Sequence, residues 1–484
     1  MDEMLRTFPA RDTALPAPAP FPGRTTTVHL VGIAGSGMKA LAEWIVGAGY
    51  RVTGSDSALT PDLQFHFGAL GIPTTSGHSS DSITDDVTLL IHSPAVPAAN
   101  PERRAAQERR IPELSYPQAL ASIMRQGLGV SIAGTHGKSS TTAMVGAILE
   151  AAGRDPSLLC GAEILGRRRN GWGGSGPIVV ESCEYRRHFL ELAPQVAVIL
   201  NVEPDHFDCF PTLDEALAAY RDFAARIPAS GTLVLSRDCP HSESLAKVAR
   251  AKVSWFSLDD HTAGWSAEDL HRSGEATAFT LLHHGADMGQ VVWRLMGRHQ
   301  VANALAAAAV ADALDVPTDA IRAGLEHFRG LHRRLEFVGD VGGVTVFDDY
   351  AHHPTAVQAT LRAVREQYGD RRIWCAFQPH QLSRTEALFD EFSEAFDEAD
   401  EVLIAPIFGS RETAGDQHVR LAQGLANQIR LRGVPARFVP TLDHISMAIE
   451  TDARPGDLFL VVGAGNIDRV AHDCSRRLLR NYAS

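Results

Sequence analysis

Apolar residues recur along this chain in short buried-type runs, each ending in a glycine-rich or polar loop and followed by a stretch with helical spacing. Val28-His-Leu-Val-Gly-Ile33 is the first such run. Ala34-Gly-Ser-Gly-Met38 follows it, and Leu41, Ile45 and Val46 then fall on one side of a helix. Tyr50 to Gly54 reads as a second strand ending at Ser55-Asp56, and Leu89-Leu-Ile-His-Ser-Pro-Ala95 as a further parallel one. Gly129-Val-Ser-Ile-Ala133 repeats the pattern. It leads through Gly134-Thr-His-Gly137 to a helix opening at Lys138-Ser-Ser140, with Met144, Val145, Ile148 and Leu149 at core-facing positions. Pro177 to Ser182 and Val196 to Val202 read as buried strands, Leu213 to Ile227 and Arg298 to Leu314 as helices, and strands follow around Leu233 and Val253. Segment 259–293 carries short alternating runs that predict a β-ribbon. A hairpin over Leu335–Phe347, then strands at Arg372–Phe377, Glu401–Pro406 and Asp457–Val462, open a third unit.

Strand and helix in alternation predict an α/β protein. With 484 residues the chain exceeds one core, so two to four domains are expected from length, and the run of elements divides it into three. The boundaries drawn are a loose Pro- and Ala-rich tail over 1–25, a Rossmann-like domain over 26–127, a central P-loop-type ATPase domain over 128–328, and a C-terminal α/β domain over 329–484. Apolar residues at 44% and charged residues at 21% are globular values and exclude a disordered chain or a coiled coil. The net charge of −13 argues against nucleic acid or an anionic membrane as partner, and leaves a local basic pocket for phosphates open. No apolar run is long enough to span a bilayer, and the six cysteines lack Cys-x-x-Cys spacing. Together these predict a soluble, cytoplasmic protein with reduced thiols.

Candidate chemistry concentrates where the strands end. The loop Gly134, Thr135, His136, Gly137, Lys138, Ser139, Ser140 joins a strand to a helix N-terminus, whose free N–H groups and dipole hold an anion. Lys138 supplies a mobile cation and Ser139 or Ser140 a hydroxyl for magnesium, which marks an ATP site. Only two residues separate Gly134 from Gly137, where a standard phosphate loop has four before its Gly-Lys end. Glu181 at a strand end can reach a metal, and His206 lies in the polar run Glu203-Pro-Asp-His-Phe-Asp208. His206 can ligate a second metal, position a phosphate or serve as a structural hydrogen-bonder. His299 and Asn303 stand four residues apart on one face of a helix start, where an amide can read an adenine edge or cap the helix. Gly35, Ser36, Gly37 and Asp56 form a nucleotide-type crevice whose glycine order, G-x-x-G-x-G, is not the dinucleotide one. Arg384 can grip a carboxylate with two N–H groups.

Taken together and in order, GIAGSGM, GTHGKSSTT, NVEPDHFD, GRHQVANA, HRRLEF, DDYAHHP and FQPHQLSRT resemble the motifs of the Mur ligases of peptidoglycan synthesis, over about residues 27 to 470. The resemblance implies a UDP-sugar domain, a central ATPase domain and a C-terminal domain that closes over ATP and the amino acid. It implies ATP and Mg2+ as cofactors, UDP-N-acetylmuramate and L-alanine as substrates, and a monomer or homodimer. Ligation would run through an acyl phosphate, with Lys138, Glu181 and His206 catalytic. By the same resemblance Ser139, Glu181 and His206 hold magnesium. His299, Asn303, Arg334 and Asp349 serve ATP, His352, His380 and Arg384 shape the alanine site, and Gly35, Ser36, Gly37 and Asp56 hold the UDP moiety. The chain departs from the common EADESD pattern at Glu181-Ser-Cys-Glu-Tyr-Arg186, and Gln381 stands where arginine is common. A ligase for another amino acid or for a whole peptide, a nicotinamide oxidoreductase built on the first domain, and a silent nucleotide-binding regulator are the competing readings.

Overall fold

The structure is a computed structural model that describes residues 26–410, 412 and 415–474. The expected tail over 1–25 and the chain after 474 lie outside the described residues. Three sheets organise the rest, and each has a parallel centre because its strands are apolar on both faces.

In the first sheet the order is Thr74–Ser76, Arg51–Asp56, Thr27–Val31, Val87–His92, Glu113–Ser115, all parallel. Val28 and Leu30 pack with Leu41, Ile45 and Ile123 on one face, while Val31 and Leu90 meet Ala105 and Ala106 on the other. Strand order reverses on either side of Thr27–Val31, which opens a crevice at its C-terminal end. Gly32 turns there at φ +85°, and a Cβ on it would lie 2.9 Å from the Ser93 Cβ.

The second sheet has ten strands. Its centre runs Thr232–Ser236, Val196–Ile199, Gly129–Ala133, Ile178–Glu181, Ser157–Ile164 in parallel. The helices Lys138–Ala151, Arg298–Asp312 and Thr318–His327 cover one face and Leu213–Arg226 the other. Alanine fills much of Arg298–Asp312, and Ala304 to Ala311 are wholly buried, so small side chains let this helix sit close against the sheet. The predicted β-ribbon is a meander of Trp265–Ser273, Ala276–His283 and Ala286–Trp293, antiparallel, that extends the sheet. A third sheet, Glu336–Val341, Val344–Asp349, Leu458–Val462, Ile373–Phe377, Glu401–Ile404, Ala436–Phe438, has the predicted hairpin at one edge and parallel strands beyond it.

The first and second sheets are joined by direct backbone contact. The helix Ser36–Gly47 lies on the strand Arg169–Trp172 so closely that a Cβ on Gly171 would fall 2.0 Å from the Ala40 carbonyl oxygen. Glu43, buried in this seam, accepts the backbone N–H of Asn170 and of Gly171, both at 2.8 Å, on one oxygen and meets His66 at 2.7 Å with the other. Lys39 reaches across to Glu163 at 2.6 Å.

A second buried carboxylate, Glu102, fixes the far side of the first sheet. It accepts Ser55 Oγ at 2.6 Å and meets His78 Nδ1 at 3.1 Å, with His29 Nε2 3.8 Å away. Burial alone would raise its pKa. The contacts from His29, Ser55 and His78 outweigh that and hold it at about 2. Because the folded pKa lies below the ordinary glutamate value of 4.5, the stabilisation is present above that value and fades as pH falls toward 2. Thermal melts of the wild type and Glu102→Gln should therefore differ most at neutral pH and converge between about pH 4.5 and 2. A gap that stays constant over that range would contradict the assignment.

Candidate active site

The glycine-flanked loop after Gly129–Ala133 folds as its composition requires. Gly134 and Gly137 take φ of +134° and +82°, backbone conformations that L side chains resist. Gly137 is the cap of the helix Lys138–Ala151 and has no side chain to satisfy the first-turn N–H groups, which stay available to an anion. The neighbouring strand end braces the loop. Asn201 accepts the His136 N–H at 2.7 Å through its side chain and the Thr135 N–H at 3.1 Å through its carbonyl. Lys138 Nζ folds back onto the carbonyls of Gly134 and Thr135 at 2.5 and 3.2 Å and meets Glu184 at 3.1 Å. Burial works against its charge, but Glu184, Cys183 and Glu181 more than offset this and raise its pKa, so the amine is a cation at neutral pH.

Ser139 donates to Glu181 Oε1 at 3.1 Å, and the Gly161 N–H fixes the other Glu181 oxygen at 2.5 Å. Glu181 is the last residue of its strand, so the sheet delivers a hydroxyl and a carboxylate to one point beside the loop. His206 stands apart from that pair. Its Nε2 lies 3.8 Å from Glu184 and 4.0 Å from Asp205, and its ring packs against Tyr185. Glu184, together with Cys183 and His206, forms one cluster of ligand-type atoms within 4.8 Å. Glu184 was not among the residues expected from sequence. It lies three residues past the end of its strand and meets Lys138 46 positions away, a pairing no local pattern announces; just beyond it Arg186 and Arg187 adopt left-handed φ of 50° and 60°. The two arginines point elsewhere: Arg187 pairs with Asp222, and Arg186 lies over Tyr185.

A cavity of about 370 Å³ opens beside the loop, lined among others by Asn201, Glu203, Asp238, His241, Ala302 and Asn303. Asn303 crosses behind Gly137, where a Cβ would fall 2.3 Å from its Oδ1. His299 does not line that cavity. It sits at the first turn beside Gly297, which is wedged between His299 and Ala363 of the helix Pro354–Tyr368, and burial holds its pKa at about 4.

The third sheet sends its loops onto the same place. Arg334 stacks over Tyr350 and reaches Ser139 Oγ at 3.4 Å. Asp349 is buried, and its two oxygens accept the N–H groups of Leu335 and Ala351, both at 2.7 Å, so in this arrangement it anchors the loop that carries Arg334. Arg333 bonds the carbonyls of Gly463 and Gly465, which gives the Gly463-Ala-Gly-Asn466 turn a packing role. His352 and His380 face each other at 5.7 Å, and His380 accepts from Arg384 at 3.1 Å. Arg384 itself is buried and grips Asp205 with Nε and Nη2 at 2.8 and 2.6 Å. Asp205 is a second residue that sequence left unassigned. At the first sheet, Asp56 accepts the Ala34 N–H at 2.9 Å and the Ala58 N–H at 2.8 Å, which shapes the turn ahead of Gly35, Ser36 and Gly37. Gly37 abuts Tyr116, whose hydroxyl a Cβ would approach to 2.7 Å.

An uncapped phosphate-loop helix, a hydroxyl–carboxylate pair beside it and basic groups brought from another domain define an ATP-dependent ligase of the three-domain kind. Family comparisons agree. Residues 27–127 match the model described as Mur ligase family, catalytic domain, residues 177–311 the Mur ligase middle domain, and residues 333–465 the Mur ligase glutamate ligase domain. The phosphate loop falls between the first two matches. The chain belongs to the Mur ligase family. It is 37% identical over 449 residues to the UDP-N-acetylmuramate–L-alanine ligase of Desulfitobacterium hafniense, covering 92% of this chain and 98% of that one. Among solved structures it is similar to the UDP-N-acetylmuramate-alanine ligase of Thermotoga maritima, with TM-score 0.79, 26% identity, and coverage of 94% and 99%. It is also similar to a murein peptide ligase of Psychrobacter arcticus, with TM-score 0.70, 26% identity and the same coverage. Among the described residues no helix is long and apolar enough to cross a membrane.

The loop geometry yields a direct expectation. Gly137→Ala would force a Cβ into the Asn303 amide at a positive φ, so nucleotide binding should fail while the fold persists. The rise in melting temperature that ATP gives the wild type should be absent in this variant, and an undiminished rise would show that the loop is not the phosphate site.

Proposed function

We propose that this chain joins L-alanine to the lactyl carboxylate of UDP-N-acetylmuramate at the expense of ATP, releasing ADP and phosphate, as a cytoplasmic monomer or homodimer in peptidoglycan precursor synthesis. In this reading 26–127 holds the UDP-sugar, 128–328 the ATP, and 329–484 the amino acid. The observation that carries it is the meeting of Lys138, the Ser139–Glu181 pair and Arg334 at the uncapped end of one helix.

Three positive or dipolar features converge on that end: the first-turn N–H groups, Lys138 and Arg334. They would hold the phosphates and stabilise the charge that shifts as the γ-phosphoryl passes to the sugar carboxylate. The resulting acyl phosphate makes a poor acyl donor reactive, and attack by the alanine amine expels phosphate. The donor sets fit Mg2+, since Ser139 with Glu181 offers hard oxygens already paired, and His206 with Glu184 forms a second group nearby. Bound Mg2+ would neutralise phosphate charge. Asn303 in its cavity suits an adenine edge by donating and accepting. Arg384 and Asp205 match the zwitterion of an amino acid, the guanidinium toward its carboxylate and the carboxylate toward its ammonium.

Substrate-dependent ADP release tests the proposal. L-alanine with UDP-N-acetylmuramate should support turnover, and Lys138→Ala should lower kcat by about 100-fold or more. Arg384→Ala should raise KM for L-alanine far more than for ATP. Preference for a tripeptide over L-alanine would instead assign the chain to peptide ligation, in line with its similarity to the Psychrobacter arcticus murein peptide ligase.

A further inference from the structure

The second group of ligand-type side chains lies where the middle and third sheets meet. His136 comes from the phosphate loop, Glu203 from the run after Val196–Ile199, and His353 from the loop before the helix Pro354–Tyr368, and their ligand atoms all fall within 4.8 Å of one another. His136 Nε2 and His353 Nδ1 stand 3.4 and 3.5 Å from the same oxygen, Glu203 Oε2. Metal bonds of about 2.0–2.2 Å set tetrahedral ligand atoms about 3.3–3.6 Å apart, so these two separations are those of a coordinated set.

The hydrogen bonding of His353 points the same way. Its Nε2 lies 3.1 Å from the Pro204 carbonyl oxygen, which can only accept, so Nε2 carries the proton. In the neutral ring Nδ1 is then a bare lone pair. It is buried without a hydrogen-bond partner in a side chain only 5% exposed, and it faces a carboxylate oxygen, another acceptor. Two acceptors aimed at each other across 3.5 Å call for a positive charge between them. Thr355 donates to Glu203 Oε2 at 2.6 Å and fixes the carboxylate from outside, the support that metal-binding carboxylates usually have.

We propose that His136, Glu203 and His353 bind a divalent first-row transition metal of the Zn2+ class, distinct from any magnesium held by Ser139 and Glu181, and that this ion pins the third domain onto the phosphate loop. Two imidazoles and one carboxylate suit zinc and its neighbours, whereas magnesium prefers oxygen donors throughout. His136 and Glu203 are 23% and 29% exposed, which leaves an open side for a fourth ligand. Since one ligand comes from the third domain and two from the middle one, the complete site exists only when those domains are closed.

Titration of the metal-stripped full chain with Co2+ alone, without nucleotide or sugar, tests this. One equivalent should bind with the visible absorption of a four- or five-coordinate site, Zn2+ should displace it, and excess Mg2+ should not. Zn2+ alone should raise the melting temperature. His353→Gln and Glu203→Gln should each weaken Co2+ binding at least tenfold, while His206→Ala keeps the spectrum. Should His353→Gln fail to fold, Glu203→Gln carries the test. Weak six-coordinate absorption, displacement by Mg2+, retention in a folded His353→Gln or Glu203→Gln variant, or loss in His206→Ala would each overturn the proposal.

Discussion

Everything at the centre of this molecule follows from a helix that begins without a cap. Lys138–Ala151 starts from Gly137, which offers no side-chain acceptor, and its first turn therefore presents N–H groups and the positive end of the dipole to the sheet edge. A half-buried lysine in that same turn adds a full charge. Such a concentration of positive potential needs an anion, and in this structure Glu184 supplies one at 3.1 Å. An incoming phosphate would meet the same need. The glycines at either side of the loop are there because the backbone turns at positive φ, and Asn303 fills the space where a larger residue would stand.

The two outer domains attach to this centre by different physics. The first is seated by backbone against backbone, Gly171 on Ala40, with Glu43 buried and bonded from both sides. Separating that seam would expose a carboxylate and the N–H groups it satisfies together, which costs several kcal/mol. The third domain meets the middle one through polar contacts, Arg384 on Asp205, His353 on the Pro204 carbonyl, Thr355 on Glu203 and Arg334 on Ser139, and through apolar packing of Gly297 on Ala363 and of Met296 and Phe207 against the third-sheet core. Polar contacts of this kind can be exchanged for water or ligand.

Sequence disclosed the parts of this arrangement that depend on local backbone. The phosphate loop, the strand that delivers Glu181, the hairpin over Glu336–Asp349 and the β-ribbon all follow from periodicity and glycine placement. Contacts made across long separations were hidden. Glu184 meets Lys138 46 positions away, and Asp205 meets Arg384 179 positions away. Helical spacing put His299 beside Asn303, but the pitch alone could not show that Asn303 lines the cavity while His299 packs against Gly297. Asp349 illustrates a further limit. The resemblance gives Asp349 to the ATP ribose, and the structure adds what no pattern showed, that its two oxygens accept the backbone N–H groups of Leu335 and Ala351.

The pairing of Arg384 with Asp205 also explains how a buried charge can belong to a binding site. Removing two ions from water costs more than their attraction returns unless hydrogen bonds complete the pair. Arg384 makes two bonds to one Asp205 oxygen and others to His380, so the desolvation is already met in the ligand-free arrangement. An amino-acid zwitterion brings one charge of each sign. If it inserts between the two side chains, the count of buried charges rises by a neutral pair, each facing its opposite. No naked charge has to be buried at the moment of binding. A neutral or singly charged amine would break that balance and leave either Arg384 or Asp205 without its complement. Selection for an α-amino acid can therefore arise from charge matching alone, before any side-chain pocket acts.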